Sequence, residues 1–386
     1  MRIVIRNGLS WLDADKKAPT YLNIEGDLIR EQTDRLPEGD VVLDAGDGYV
    51  VPGFIDIHLH GGGGHDFMEA TPEAFRSATE HHLLHGTTAL CPTSVSATVE
   101  SLRAFLNAHR RAMADPDLRV RLLGAHLEGP LLSERRRGAH DLSVVKSAEL
   151  TAFETVLQEF PLIRRVTAAP EWPGICALAS RHVPEGVQFS MGHSEARGEE
   201  IDRAVTAGFT SVTHLFNAMS SYGDHLGKKA PGLAEKALMD DRIYVELIGD
   251  LVHVPADMFL WAYRNKTAEK MMLVTDALSA AGAPAGTAAI GAGSERMELE
   301  IREAAYLKGT ETLAGSVVSA DQLLRNAVKI GIPFRDAVKM LTETPAKLLG
   351  VDRFLGRLDP GMGADIVILD RELQVRHVIC RGNLIR

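Results

Sequence analysis

Two histidines, His58 and His60, stand one residue apart in GFIDIHLHGGGGHD, after an apolar run and before four consecutive glycines. On an extended strand, residues i and i+2 share a face, so both imidazoles can grip one ion. Similar residues recur in similar settings. His126 and Glu128 close RLLGAHLE, His193 closes VQFSMGH, His214 lies in SVTHLF, and Asp276 lies at the end of MMLVTDA. Imidazole suits a borderline divalent metal such as zinc, and a carboxylate can complete such a site or bridge two ions. A lone strand-end histidine is more often a hydrogen-bonded rim residue than a ligand, and a short HxH pair arises by chance. Five histidines and two acids at successive strand ends are much harder to explain as packing. His81, His82, His85, His109 and His182 fall in helical or loop stretches and read as solvated or structural. The glycines Gly61 to Gly64 are expected to turn the backbone sharply beside the site and to leave room for a ligand.

The elements that must position these groups are legible as an alternation. Short apolar strands are expected at GFIDIH, TTALCPT, RLLGAHLE, LIRRVTAA, VQFSMGH, SVTHLF, IYVELIG and MMLVTDA. Between them lie stretches of helical period such as TPEAFRSATEHHLLHG and SAELTAFETVLQEF. This is the pattern of an α/β protein, and eight parallel strands close a (β/α)8 barrel of the TIM type, whose active sites gather at the strands' C-terminal ends. A doubly wound open sheet is the alternative, but no GxGxxG follows the first strand, so a dinucleotide site has no support. Both chain ends read as short strands (RIVIRNG, YLNIEGDLIR and GDVVLDAGDGYVV against GADIVILD and LQVRHVICRGNLIR) and are expected to pair. The stretch GAPAGTAAIGAGSE, 282 to 295, reads as a mobile loop.

Bulk properties exclude other classes. A net charge of −10 argues against nucleic acid or an anionic membrane as partner, and the one basic run, Arg135 to Arg137, is too short to reverse it. No run approaches the roughly 20 apolar residues that span a bilayer. The N-terminal MRIVIRNGLSW reads as a strand and not as a signal peptide, so a cytoplasmic location is expected. Three scattered cysteines without a CxxC argue against a disulfide framework and against a cysteine zinc site.

Taken in order, PGFIDIHLHG, HLEGP, APE, SMGHS, THLFNAM, VTDA and LAGS resemble the N-acetylglucosamine-6-phosphate deacetylases of the amidohydrolase superfamily. GRLDPGMGADIVILD also resembles that superfamily's closing β-segment. The resemblance covers nearly the whole chain. It implies a metal-dependent (β/α)8 barrel over 51–349 and a small β-sandwich domain made of 1–50 and 350–386. Glu128, His193 and His214 would hold the principal metal. His58 and His60 would hold a second, with Glu128 bridging. One or two divalent ions are therefore expected, zinc by default and Fe2+, Co2+ or Mn2+ as alternatives. Asp276 would join the metal site and act as general base, then general acid, and His140 would polarise the substrate. Asn217 and Ala218 would meet the sugar or its phosphate, and His253 a hydroxyl or the acyl side.

Two departures from the family pattern stand out. Leu251 occupies a position where the family usually has glycine. The loop SSYGDHLGKKAPGLAEKAL is longer than usual and lacks the arginine expected to reach a phosphate across a homodimer interface. His225, Lys228 or Lys229 would replace that charge, or the Arg135 run would. The activity implied is hydrolysis of N-acetyl-D-glucosamine 6-phosphate to D-glucosamine 6-phosphate and acetate by metal-activated water. The alternatives are a deacetylase of N-acetylgalactosamine 6-phosphate or of an unphosphorylated N-acyl compound and, more remotely, a non-catalytic metal-binding relative.

Overall fold

The structure, a computed structural model, describes residues 2–10, 21–33, 39–283, 288–291 and 296–386. Eight parallel strands form at the eight expected places: β1 Phe54–Leu59, β2 Thr87–Ser94, β3 Ala125–Glu128, β4 Ile163–Ala168, β5 Gln188–Met191, β6 Phe209–Val212, β7 Tyr244–Ile248 and β8 Met271–Val274. Each pairs in parallel with the next, from β1 to β8. The seam between β8 and β1 is closed just beyond the strand ends. There Asp276 N donates to His58 O at 2.9 Å, and His60 N donates to Ala277 O at 2.8 Å.

Parallel strands are covered on both faces, and β1 is buried along its whole length. Its alternation still sorts the side chains. Ile55 and Ile57 join an apolar cluster with Val274 and Ala346. Between them, Asp56 accepts from the Thr275 hydroxyl at 2.5 Å, and His58 reaches Glu246. Beneath the C-terminal rim the barrel interior is polar where such barrels usually carry branched apolar residues. Thr93, His126, Thr167, Thr213 and Ser190 form one hydrogen-bonded chain at 2.7–3.2 Å.

Both chain ends contribute to a second body. One sheet holds Leu28–Thr33, Tyr21–Glu25, Arg2–Arg6 and Val41–Asp44; the other holds Leu9–Ser10, Tyr49–Pro52, Ile366–Leu369, Val375–Cys380 and Asn383–Leu384. In the latter, Tyr49–Pro52 runs antiparallel to Ile366–Leu369. Ile3, Ile24 and Ile29 of the first sheet share an apolar cluster with Val50, Ile366 and Ile379 of the second, which makes a small β-sandwich.

One expectation is corrected between 282 and 295. Residues 284–287 and 292–295 lie outside the described residues, but Ala288–Ile290 is a strand of an antiparallel sheet with Met297–Ile301, Ala305–Leu307 and Leu313–Gly315. The alanines and glycines read as loop chemistry, yet Met297–Ile301 supplies their ladder. Among the described residues no helix is long and apolar enough to cross a membrane. All three cysteines are free.

Of the role expected for the four glycines, the sharp turn holds, Gly61–Gly62 pairing back on His65–Asp66, and the room for a ligand is corrected. None lines the cavity described below. A Cβ on Gly61 would stand 2.2 Å from His65 O, and one on Gly63, whose φ is +59°, would stand 2.8 Å from Ser77 O. The missing side chains admit a tight hairpin and the helix Pro72–Leu84, not a ligand. Gly61→Ala is therefore expected to cost about 1–3 kcal/mol of stability through overpacking, read as a lower urea midpoint. An unchanged midpoint would show that the hairpin has slack.

Candidate metal centre and active site

The polar strand ends converge at the C-terminal rim. Glu128 is central, buried, and faces two ways. Its Oε1 lies 3.2 Å from His193 Nε2 and 3.0 Å from His214 Nε2. Its Oε2 lies 3.3 Å from His58 Nε2 and 3.2 Å from His60 Nε2. Asp276 Oδ1 joins the latter half, 3.2 Å from His60 Nε2 and 3.5 Å from His58 Nε2. Two ligands of a tetrahedral ion at ordinary zinc distances stand about 3.3 Å apart. The donor atoms of both halves therefore have the spacing of ligands around a small divalent ion.

Hydrogen bonds behind the rings test that fit. His193 Nδ1 donates to Arg136 O at 2.8 Å, so in the neutral ring Nε2 is a bare lone pair. It faces His214 Nε2 at 3.0 Å as well as the Glu128 carboxylate. His58 Nδ1 donates to the Glu246 carboxylate at 3.2 Å, and its buried Nε2 makes no hydrogen bond. Lone pairs aimed at carboxylate oxygens need a cation between them, and a carboxylate behind a histidine is the usual way to orient a metal ligand. Protons otherwise fill that role. Burial alone would depress His60, but Asp276 and Glu128 hold it up at about 9. Burial would likewise raise Glu128, but His58 and hydrogen bonds from His140, His193 and His214 take it well below the usual carboxylate range. Metal binding here must release protons.

His58 and Glu246 belong to a longer buried chain. Arg165 of β4 pairs with Glu246 of β7, both fully buried. Burial lowers the guanidinium to about 10, still charged at neutral pH. Glu246→Gln keeps an oxygen toward His58 but removes the charge that balances Arg165. Metal affinity is expected to fall about 10–100-fold. The protein is expected to lose roughly 3–5 kcal/mol from the unpaired guanidinium. Competition titration with a chelator and a denaturation midpoint measure the two. Unaltered affinity would show that His58 is oriented without Glu246.

A cavity of about 290 Å³ opens above the cluster, lined by His60, Glu128, His140, His193, His214, Asn217, Ala218, His253 and Asp276 among others. His140 Nδ1 accepts from Ser96 N at 3.0 Å, so the neutral ring carries its proton on Nε2, 3.6 Å from Glu128 Oε2. Burial and His193 push its pKa down to about 4, so it is neutral and a donor. His253 Nδ1 donates to Asp250 at 2.7 Å, which in the neutral ring leaves Nε2 as an acceptor. Nearby Leu251 has φ +66°, so this chain keeps the left-handed turn that a glycine would adopt freely. His193, His214 and Asp276 also have positive φ, between +33° and +48°, a strain typical of functional sites.

Some sequence-predicted residues lie elsewhere. His126 is buried one layer below Glu128, with Thr93 and Thr167 on its two ring nitrogens, and is not a ligand. His225 and Lys228 sit on an exposed hairpin, Gly223–His225 with Lys228–Ala230, off this chain's cavity wall. Lys229 pairs with Asp224 at 3.0 Å. His82 donates to Gly61 O at 2.9 Å, and His109 is buried against Phe75 and Phe105, both structural as expected. Sequence reasoning missed Arg165 and Glu246; the available signal was a charge at an inward position of an apolar strand. It also missed Ile290 and Thr312 to Gly315, the wall contributed by the inserted sheet.

Comparison with known proteins agrees with this architecture. Residues 49–385 match the model of the amidohydrolase family. The chain is similar to the N-acetylgalactosamine-6-phosphate deacetylase of Escherichia coli O157:H7, with 34% identity over 339 residues, 86% of each chain. It is also similar to the N-acetylglucosamine-6-phosphate deacetylase of Caenorhabditis elegans, 33% identical over 376 residues, 92% of this chain and 88% of that one. A solved structure of a mutant N-acetyl-D-glucosamine-6-phosphate deacetylase from Mycobacterium smegmatis, in complex with N-acetyl-D-glucosamine-6-phosphate, superposes with a TM-score of 0.87 at 32% identity, covering 100% of this chain and 98% of that one. With a barrel, a sandwich from both ends and a rim of histidines and carboxylates, the chain belongs to the amidohydrolase family and, within it, to the N-acetylglucosamine-6-phosphate deacetylases.

Proposed function

We propose that this chain hydrolyses the acetamide of N-acetyl-D-glucosamine 6-phosphate, giving D-glucosamine 6-phosphate and acetate. The observation that carries this reading is the Glu128 carboxylate shared between two pairs of imidazoles, with Asp276 beside it, beneath a cavity of about 290 Å³. His58, His60, Glu128, His193, His214 and Asp276 would hold one or two divalent ions, zinc by donor chemistry. A divalent ion bound there lowers the pKa of water to roughly 7 and polarises the carbonyl oxygen.

The protein's own groups do the rest. The ionised Asp276 carboxylate takes the proton of the attacking water and returns it to the departing nitrogen. His140 Nε2–H donates to the oxygen as negative charge develops on it. Asn217, Ala218 and the His253 Nε2 acceptor position the sugar. The reading includes a homodimer, supported by the apolar Tyr222 and Leu226 exposed at the hairpin. His225 and Lys228 enter it only from the second copy. The catalytic barrel is assigned to 51–349 and the β-sandwich to 1–50 with 350–386. Three free thiols favour a cytoplasmic location.

A second reading, the galacto epimer as substrate, is favoured by the similarity to the Escherichia coli relative of that name. Acetate release from both 6-phosphates and from N-acetylglucosamine, with metal-replete enzyme, tests both. The higher kcat/KM is expected for the gluco 6-phosphate. Preference for the galacto 6-phosphate transfers the assignment to the epimer, and inactivity on all three overturns it.

A further inference from the structure

We propose that Arg135 and Arg136, in the same chain as the metal cluster, recognise the substrate's phosphate. The inference rests on the reading above that the substrate is a hexosamine 6-phosphate. Such a ligand carries close to two negative charges at its phosphate end, while the Glu128 and Asp276 carboxylates at the other end are taken up by the metal site. Counter-charge on the wall is therefore required for tight binding. Arg135 and Arg136 are the only lysine or arginine side chains lining that cavity among the described residues.

The local structure suits the task. Both arginines lie on the short turn Glu134–Arg136 that follows β3. Two hydrogen bonds to His193 register this turn against the metal cluster: Ser133 N donates to His193 O at 2.9 Å, and Arg136 O accepts from His193 Nδ1 at 2.8 Å. A phosphate gripped by the turn is thus held at a fixed distance from the reacting end of the site. The guanidinium groups are available. Arg136 Nε makes no hydrogen bond, and its counter-ion, Glu195 Oε1, is 3.5 Å away. Arg135 Nη1 lies 3.8 Å from Glu195 Oε2, and its side chain is 84% exposed. One distant carboxylate for two guanidiniums is a weak competitor for a dianion, and the guanidinium fork matches phosphate in a way that lysine does not. Arg137, the third of the run, is turned elsewhere: its Nη1 donates to Glu134 O at 3.2 Å, and it does not line the cavity.

The test compares wild type, Arg135→Gln/Arg136→Gln and His225→Gln/Lys228→Gln/Lys229→Gln, all metal-replete, on N-acetylglucosamine 6-phosphate and on N-acetylglucosamine. Glutamine leaves the Arg136 carbonyl in place, so the metal content of the arginine variant should match wild type. That variant is expected to lose about 10–100-fold in kcat/KM on the phosphorylated sugar, mostly through KM, since charge-assisted hydrogen bonds are being removed. On the unphosphorylated sugar it should change less than about twofold, and inhibition by inorganic phosphate should weaken in parallel. Unchanged preference for the phosphorylated sugar in the arginine variant, or a full loss of preference in the hairpin variant alone, overturns the proposal. So does an equal loss on both sugars, which means damage to the His193 turn. A wild type indifferent to phosphate removes the functional reading and this inference together, an outcome distinct from failure of the arginine variant alone.

Discussion

Glu128→Gln is expected to lower kcat/KM by at least about 10³-fold and to cost the protein at least one bound metal ion per chain. The reason is the division of labour between its two oxygens. Oε1 serves His193 and His214; Oε2 serves His58 and His60. An amide has one oxygen and one NH2 group, so one half of the site loses its anionic ligand and gains two N–H bonds directed at a cation. The change is nearly isosteric in a fully buried position, so the barrel itself should persist. Metal analysis of the purified variant beside a steady-state assay decides the matter. Full metal content would show that the two halves do not share this carboxylate.

Asp276→Asn is expected to lower kcat by about 10²–10⁴-fold at saturating metal with little change in KM. Asparagine is the informative replacement because the residue sits at φ +48°, where asparagine is among the few side chains tolerated routinely. The backbone bonds from Asp276 N to His58 O and from Ser316 N to Asp276 O do not involve the side chain and survive. What disappears is a group able to take a proton and give it back. Alanine would combine that loss with backbone strain and be harder to interpret. Near wild-type turnover in the asparagine variant, with metal bound, would remove Asp276 from proton transfer.

Much of this site was legible because a parallel barrel is a forgiving object to read. Its strands are short, apolar and covered on both faces, and the candidate ligands sit at or just past their ends: His58 in β1 and His60 one residue beyond it, Glu128 ending β3, His193 and His214 just past β5 and β6. What resisted reading depends on contacts between distant segments. His126 has the residue type and face of a ligand; only its layer, with Thr93 and Thr167 against it, excludes it. Arg165 and Glu246 look like interruptions of apolar strands until the barrel brings β4 and β7 together around His58. The glycines after His60 read as space for a ligand because Ser77, which closes against Gly63, is not recognisable as a neighbour until the helix packs. Ala288–Ile290 reads as loop because a strand without its ladder partner has no signature of its own.

The sheet that joins the two chain ends also sets a timetable for synthesis. Tyr49–Pro52 leaves the ribosome before the barrel does, but its antiparallel neighbour Ile366–Leu369 emerges only after roughly 310 further residues, about 15–60 s at ordinary elongation rates. Throughout that interval the apolar edge carrying Val50 and Val51 has no strand to pair with, the condition that invites intermolecular pairing. The nascent chain therefore carries a half-built sandwich throughout the synthesis of the barrel, and strands made after the barrel complete one made before it.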